Sequence, residues 1–563
     1  MLASRAGPQP LCSGATLPAW TRFAEAICQA ASSSTADRLS RARPAFLLPR
    51  EPLPFEELLA PMVELARRRL RQKSAPECYC LLAEAAWISW QRGLLKRLLS
   101  AGNDALLTEW KRFRARRKIS ARGEATANYR AFVQTHLQDG FSEFFLRYPV
   151  LARLWSILTK NWINFVRRVL GRLHRDWAIL HTQLLPTLPR QPKAGVVADM
   201  AAGLSDPHNG GATVLALIFQ NGERMIYKPR DLRVDRTYFR FLKELNDAAQ
   251  ATRSFRIPKF GARPQGRYGW MEFIAQAPCR RRDGPRDFYW QIGALTCLHF
   301  LLRAVDGHAR NWVAAGEQPV CIDLETLWHP TFGGGPSVRN TVARTGILPL
   351  RGYAYPVVGG RMAGRTALRV PGWKQVNTDR MRCVWRHVPI RRQMHIPQTC
   401  GRRWARLTVA RAESMLAGFS EMTDRLSSDP TARSALRRCL VALQKPGAAL
   451  HRRWLVRTTI TYDALLQRAR RAACLRDGSR RHRLLATLRP DRRALKPRSL
   501  QEAELRALES LDIPRFQAAD CADRLSRKAA AWPQEKAAMP QATLKHRLRR
   551  QLPLLARLLS KAS

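Results

Sequence analysis

Acidic residues are scarce in this chain. Against 97 lysines and arginines stand only 43 aspartates and glutamates in 563 residues, a formal net charge of +54. A surplus of that size favours polyanionic partners such as nucleic acid, acidic peptide or anionic membrane. The charge is spread along the whole chain, densest over residues 468–498, which is also what a solvated arginine-rich surface gives. No RNA- or DNA-binding motif accompanies it, so nucleic acid is not an expected partner. Metal-binding cysteine patterns are missing too. The 12 cysteines contain no CxxC pair, and Cys78 and Cys80 have no partner pair. That argues against a zinc site and a disulfide framework, so no zinc is expected and a reducing, cytoplasmic setting fits best. The N-terminus (MLASRAGPQPLCSGATLPAW) has no apolar run of the kind a secretory signal needs. The longest apolar run, residues 288–305, is interrupted by Gln291, His299 and Arg303. It reads as a buried core helix, not a membrane span. What the chain does have is 45% apolar residues. That is enough for about two to four domains with their own cores.

In chain order, residues 1–53 are loop-rich and read as a poorly structured N-terminal segment. Residues 54–190 repeat apolar positions every three or four residues, which predicts an all-helical region, interrupted at Tyr148-Pro149. Its tryptophans Trp155, Trp162 and Trp177 read as core. A proline-rich link (LLPTLPRQPK, residues 184–193) follows. The period then changes. TVLALIF (213–219) and RMIYK (224–228) read as two strands joined at Asn221-Gly222, a type I′ hairpin signal. The loop SDPHNGG (205–211) feeds this hairpin, and a short helix is expected over residues 238–248. A helix over 288–305 leads to Asp306, and PVCID (319–323) reads as a short strand ending in a carboxylate. Residues 330–373 read as loops. Helical pattern resumes near Trp404, with WLVRTTITY (454–462) strand-like. SLQEAELRALESLDIPRF (499–516) predicts a helix N-capped by Ser499, with Glu502 in capping-box spacing and Pro514 as its stop.

The chemistry concentrates in residues 304–330, AVDGHARNWVAAGEQPVCIDLETLWHP. Here Asp306, His308, Asn311, Asp323 and Glu325 crowd into a chain otherwise basic or apolar. Phosphoryl transfer needs a carboxylate near the attacking hydroxyl, oxygen ligands for Mg²⁺ and a cation on the phosphates. Asp306 and Asn311 have the Asp-x-x-x-x-Asn spacing of a protein-kinase catalytic loop, and Asp323 follows as a later carboxylate at a strand end. Lys228 closes the second strand of an upstream hairpin preceded by a glycine-containing loop. Taken singly, these are weak signals: such an Asp/Asn pair often caps a turn, and a histidine two residues after an aspartate, as at His208 and His308, is commonly a core or turn residue. In this order they point to a kinase-type centre with Asn311 and Asp323 on Mg²⁺. If the strand continues past Asp323, Glu325 faces the same side.

SDPHNGG, IYKPRDLRVD, YGWMEF (268–273), DGHARN and PVCIDLETLWHP together resemble the dehydratase domain of class II lanthipeptide synthetases, the LanM family. RYPVLARL upstream, and RWLVRTTITY and LDIPRF downstream, extend the resemblance over roughly residues 54–550. It implies an α+β fold with a lipid-kinase-like catalytic core and extensive helical N- and C-terminal additions. The core would occupy residues 191–520, with an activation-type insert, and residues 521–563 would form a helical tail. The implied activity is ATP-dependent phosphorylation of Ser and Thr in a ribosomal precursor peptide, followed by elimination of phosphate to dehydroalanine and dehydrobutyrine. The implied cofactors are ATP and Mg²⁺. Asp206 and His208 match the family's Asp-x-His, and Lys228 matches the lysine of its YKPR motif, on nucleotide phosphates. Asp306, His308 and Asn311 match its catalytic loop. Asp323 and Glu325 match its Asp-x-Glu, and Arg453 and Thr459 match the arginine and threonine of the elimination step. Arg453 suits a phosphate clamp because a guanidinium binds bidentately. Two departures stand out. Arg310 occupies a position where the family usually has an acidic residue, and no downstream cyclase ligand set follows. The chain therefore resembles a dehydratase alone, a fragment or a decayed copy, and in the first case a separate cyclase is an expected partner. The alternatives are a phosphotransferase without elimination and an inactive precursor-binding scaffold.

Overall fold

The computed structural model describes residues 18–34, 43–117, 125–248, 253–261, 267–329, 341–348, 357–358, 367–389, 394–444, 452–488, 498–517 and 541–560. The chain forms two compact units, each drawn from separate stretches of sequence. The first is Met1–Pro229 with Val370–Arg386 and Arg457–Pro514; the second is Arg230–Arg369 with His387–Val456 and Arg515–Ser563. Both contain helices and strands, so the chain is of mixed α+β character. Among the described residues no helix is long and apolar enough to cross a membrane.

The first unit is built on long helices, chiefly Glu56–Lys73, Glu84–Arg116 and Pro149–Gln183. The interruption at Tyr148-Pro149 is real: a short helix stops at Arg147 and the long one starts with proline in its first turn, where a missing N–H does no harm. Trp155, Trp162 and Trp177 are buried core, as their spacing predicts. Gly102 makes room for Trp155, since a β-carbon there would lie 2.5 Å from the indole; the indole N–H donates to the Leu98 carbonyl at 2.9 Å. A further helix, Ala19–Ser32, lies in the stretch read as loop-rich.

Strands Val197–Ala201, Leu215–Phe219 and Arg224–Lys228 pair antiparallel in that order. The predicted hairpin is present but its turn differs from the expected type I′. Only Gly222 has positive φ (82°), while Gly222 N–H donates to Phe219 O and Phe219 N–H to Glu223 O, each at 2.9 Å. This is a three-residue loop with a left-handed glycine closing it, for which glycine is needed at one position instead of two.

In the second unit, helix Gly284–Leu301 is buried on nearly all sides, as the apolar run over 288–305 predicts. It crosses helix Val409–Ser428 through a reciprocal glycine contact. A β-carbon on Gly293 would fall 1.9 Å from Met415 O, and one on Gly418 1.9 Å from Trp290 O. Strands Trp312–Ala315 and Gln318–Cys321 form a tight antiparallel pair.

Several expected elements differ. The second of these strands ends at Cys321, so Asp323 and Glu325 lie beyond it and not on one pleated face. In WLVRTTITY only Trp454 is strand, the end of Arg453–Trp454, which pairs with Phe516–Gln517, and a helix begins at Thr459. Its β-branched residues mimic a strand, but Tyr462, Leu465, Leu466 and Ala469 bury at helical spacing, and packing overrides local preference. The helix expected over 499–516 runs Arg498–Glu509, so Ser499 lies inside it; it ends well before Pro514, with Leu511 left-handed at φ 62°. Within 330–373, residues Ala367–Lys374 form a strand that pairs with Arg382–Pro389; residues 330–340, 349–356 and 359–366 lie outside the described residues.

Candidate active site

After helix Gly284–Leu301 the chain turns sharply. Arg303 and Asp306 both take positive φ, 53° and 64°, a conformation that disfavours residues with a β-carbon. Among the hydrogen bonds that hold this turn are Ala304 N–H to His299 O at 2.9 Å, Gly307 N–H to Thr345 O at 2.8 Å, and the Asn311 side-chain amide to Asp306 O at 2.8 Å. Gly307 has no space for a side chain, because a β-carbon would lie 2.5 Å from Thr345 O. Beneath the turn, His299 is fully enclosed, and burial pushes its imidazole down to about 3. It is thus neutral, with Nε2 3.0 Å from the Tyr238 hydroxyl. His308 Nε2 stands 3.6 Å from Asp306 Oδ1, close enough for electrostatic attraction but too far for a hydrogen bond.

Around this turn lies a network of carboxylates and guanidiniums. Arg230 grips Asp235 with two bonds, 2.6 and 3.0 Å, and reaches Asp323 Oδ1 at 2.9 Å and Glu325 Oε2 at 3.3 Å. Glu325 Oε1 accepts from Arg453 at 2.7 Å and Oε2 from Arg515 at 2.8 Å. The backbone reinforces this, since Arg453 N–H donates to Glu325 O at 2.8 Å. Arg453 and Arg515 come from the paired strands Arg453–Trp454 and Phe516–Gln517 and their immediate flank, so one short ladder delivers both to a single carboxylate.

The network drives two carboxylates in opposite directions. Burial pushes Asp306 up, Asp323 and Glu325 add to the push, and His308 and Arg453 oppose it; the carboxyl ends above its ordinary value. Burial would push Glu325 up as well, but Arg515, Arg453 and Arg230 hold it well below the usual carboxylate range. Asp306 is therefore the more proton-avid of the two, and Glu325 is a permanent anion. Arg453, despite burial, is held above its ordinary value by Glu325 first, with Asp323 and Asp306 behind it.

Asn311 and Asp323 carry oxygens of the kind Mg²⁺ takes. With its amide nitrogen donating to Asp306 O, Asn311 presents Oδ1 as its acceptor end, and Ile322 N–H bonds Asn311 O at 2.8 Å, tying that residue to the segment bearing Asp323. Among the described residues no group of three or more His, Cys, Asp or Glu is arranged as a metal cage. Mg²⁺ does not need one, because it keeps waters and takes one or two protein oxygens beside substrate phosphates. Arg230 already sits on Asp323, so a cation there meets a competing charge.

The second unit thus gathers six of the residues singled out in the sequence: Asp306, His308, Asn311, Asp323, Glu325 and Arg453. Asp206, His208, Lys228 and Thr459 belong to the first unit. Asp206 and His208 lie half-buried on the loop before the hairpin; Lys228 is buried at the end of its strand, and Thr459 is the first residue of its helix. The loop is anchored from the far end of the sequence. Asp512 accepts from Gly210 N–H at 2.6 Å and Gly211 N–H at 3.0 Å, and His208 Nδ1 lies 2.7 Å from Ile513 O.

Four residues of these networks carry no role in the sequence reading: Arg230, Asp235, Asp512 and Arg515. All four stand inside motifs already singled out, Arg230 and Asp235 in IYKPRDLRVD and the other two in LDIPRF. The charged residues of those two motifs were the available signal. Its partners are up to 302 positions distant, and spacing alone does not pair residues at that range.

The chain belongs to the family described as a domain of unknown function, DUF4135, which matches residues 148–519. Its LanM-like character is shown by that match together with a curated relative, the lacticin 481/lactococcin biosynthesis protein LcnDR2 of Lactococcus lactis subsp. lactis. The two are 25% identical over 244 residues, covering 40% of this chain and 25% of the relative. The chain therefore matches about a quarter of that relative's length.

Proposed function

We propose that this chain dehydrates a lanthipeptide precursor in the cytoplasm. It would phosphorylate Ser and Thr side chains with ATP, then eliminate phosphate to leave dehydroalanine and dehydrobutyrine. The supporting observation is the joining of the Asp306–Asn311 turn to the Arg230–Glu325–Arg453–Arg515 network in one unit. The relative's part in lacticin 481/lactococcin biosynthesis supports the substrate class.

In the first step Asp306, raised by burial, orients the substrate hydroxyl and takes its proton as the oxygen bonds the γ-phosphorus and the bond to the β-phosphate breaks. Lys228 and the Asp206/His208 loop are assigned to the nucleotide phosphates and the reacting groups by the family resemblance. Asn311 and Asp323 would hold Mg²⁺, which would neutralise charge on those phosphates. In the second step a base takes the Cα proton, the C–H electron pair forms the Cα=Cβ double bond, and the Cβ–O bond breaks so that phosphate departs with that bond's electron pair. Arg453 offsets the charge on that phosphate, with Thr459 beside it in role by resemblance. Glu325, both of whose oxygens meet arginines, holds Arg453 in place.

The test is incubation of the chain with ATP, Mg²⁺ and the precursor peptide encoded beside it, read by mass spectrometry. Products lighter by one water per modified residue are expected. Arg453→Met is expected to accumulate phosphopeptide. A stable phosphopeptide from the unaltered chain would favour a phosphotransferase without elimination. Retained precursor binding without ATP turnover would favour an inactive scaffold, in line with Arg310, whose side chain is exposed on the turn beside Asn311.

A further inference from the structure

The loop carrying Asp206 and His208 has an unusual backbone. Asn209, Gly210 and Gly211 take positive φ in succession, 46°, 82° and 74°. Successive N–H groups of a turn can converge on one anion, and those of Gly210 and Gly211 do so here. Here the anion is a side chain of the same unit. Asp512 Oδ2 takes Gly210 N–H at 2.6 Å, and its two oxygens share Gly211 N–H at 3.0 and 3.2 Å. Arg97 closes the far side, donating to Gly211 O at 3.1 Å; a β-carbon on Gly211 would meet its guanidinium at 2.6 Å. Pro207 O accepts from Ile513 N–H at 2.8 Å, and His208 exchanges backbone bonds of 3.0 and 2.8 Å with Ala212.

The consequence falls on His208. Its Nδ1 lies 2.7 Å from the Ile513 carbonyl. A carbonyl only accepts, so Nδ1 carries a proton, and in the neutral ring Nε2 is the unprotonated nitrogen. The residue that sets this tautomer is the neighbour of the residue that clamps the loop. Asp512 and Ile513 thus act together, one fixing the loop backbone and the other the ring.

We propose that Asp512 is a positioning residue that fixes the tautomer and placement of His208, so that Nε2 is the atom offered for proton transfer. The proposal rests on the reading of the chain as a precursor dehydratase only for its catalytic consequence. The tautomer is a property of the structure alone. With both glycine N–H groups held by Asp512, the loop is a support for the Asp-x-His pair and its glycines are not a phosphate cradle.

The experiment uses the full chain labelled with ¹⁵N-histidine, with His208 assigned by the resonance lost in His208→Gln. Long-range ¹H–¹⁵N spectra at pH 8 should show the wild-type ring protonated at Nδ1. In Asp512→Ala the ring should show an averaged tautomer signature, and kcat for dehydration should fall roughly 10-fold or more with KM little changed. Asp512→Asn keeps one acceptor oxygen and should restore part of both; it also serves if the alanine variant does not fold. A folded Asp512→Ala or Asp512→Asn chain with unchanged His208 spectrum and kcat would overturn the proposal. If the wild-type chain does not dehydrate its precursor while the tautomer still moves in Asp512→Ala, the positioning role stands and the functional reading fails.

Discussion

At the scale of single residues, Asp306 and Glu325 show that burial alone does not decide what a carboxylate does. Both lose water. Glu325 is met by three guanidiniums, whereas Asp306 has His308 and Arg453 on one side and two carboxylates on the other. Their replacement should therefore have opposite effects on stability. Glu325→Gln leaves Arg230, Arg453 and Arg515 without their shared anion. Removing one partner of a buried ion pair destabilises by about 3–5 kcal/mol, so a clear loss is expected in urea unfolding. For Asp306 the sign reverses. A carboxyl whose folded value is raised contributes stability below its unfolded value of about 4 and loses it as pH rises through the folded value. At pH 7.5, well above the unfolded value, the raised Asp306 carboxyl therefore weakens folding relative to an unperturbed one. Asp306→Asn should melt at the same temperature as wild type or higher, while phosphoryl transfer falls roughly 100-fold or more. An Asp306→Asn chain that melts lower than Glu325→Gln would refute this assignment of the two roles.

At the scale of elements, the tightest joint in the second unit is the crossing of helices Gly284–Leu301 and Val409–Ser428. Each contributes one glycine against the backbone of the other. A methyl group at Gly293 or Gly418 would have to displace main chain instead of a flexible side chain. Overpacking of this kind costs about 1–3 kcal/mol. Because helix Gly284–Leu301 leads into the Asp306 turn, Gly293→Ala should also reduce turnover. Thermal unfolding and the dehydration assay, run on Gly293→Ala and Gly418→Ala, check both effects; unchanged melting in both variants would mean the helices part without penalty. The helix Gly284–Leu301 and the hairpin were legible in the sequence because their signals are local: an apolar run over 288–305, and two apolar stretches flanking Asn221-Gly222. Glycines such as Gly293 were not, since what fixes them is a backbone 122 positions away at Met415. The stretch WLVRTTITY misled for a related reason. Its local preference is for strand, and only the packing of Tyr462 and Leu466 makes residues 459–469 a helix.

At the scale of the whole molecule, the candidate site was legible where its residues are close in sequence and hidden where they are not. Asp306, His308, Asn311, Asp323 and Glu325 share one stretch, so spacing alone suggested a centre; Arg453 entered through family resemblance; Arg230 and Arg515 needed coordinates. The net charge of +54 poses the remaining physical question. Two electrostatic effects compete. Like charges spread over the surface repel and weaken the folded state, and salt relieves this. Ion pairs such as Arg67–Glu84 at 2.7 Å and Lys243–Asp247 at 2.7 Å attract, and salt weakens them. Exposed pairs contribute only about 0–1 kcal/mol each. Buried ones such as Arg453–Glu325 are shielded little by salt because ions do not reach them. Repulsion among 97 cations against 43 anions should therefore dominate. Raising ionic strength from about 0.01 to 0.15 M shortens the screening length from about 30 to 8 Å, and the melting temperature is expected to rise over that range. A melting temperature that falls with salt would show that surface pairing outweighs the net charge, and that the arginine excess is organised into stabilising networks instead of being a general surface surplus.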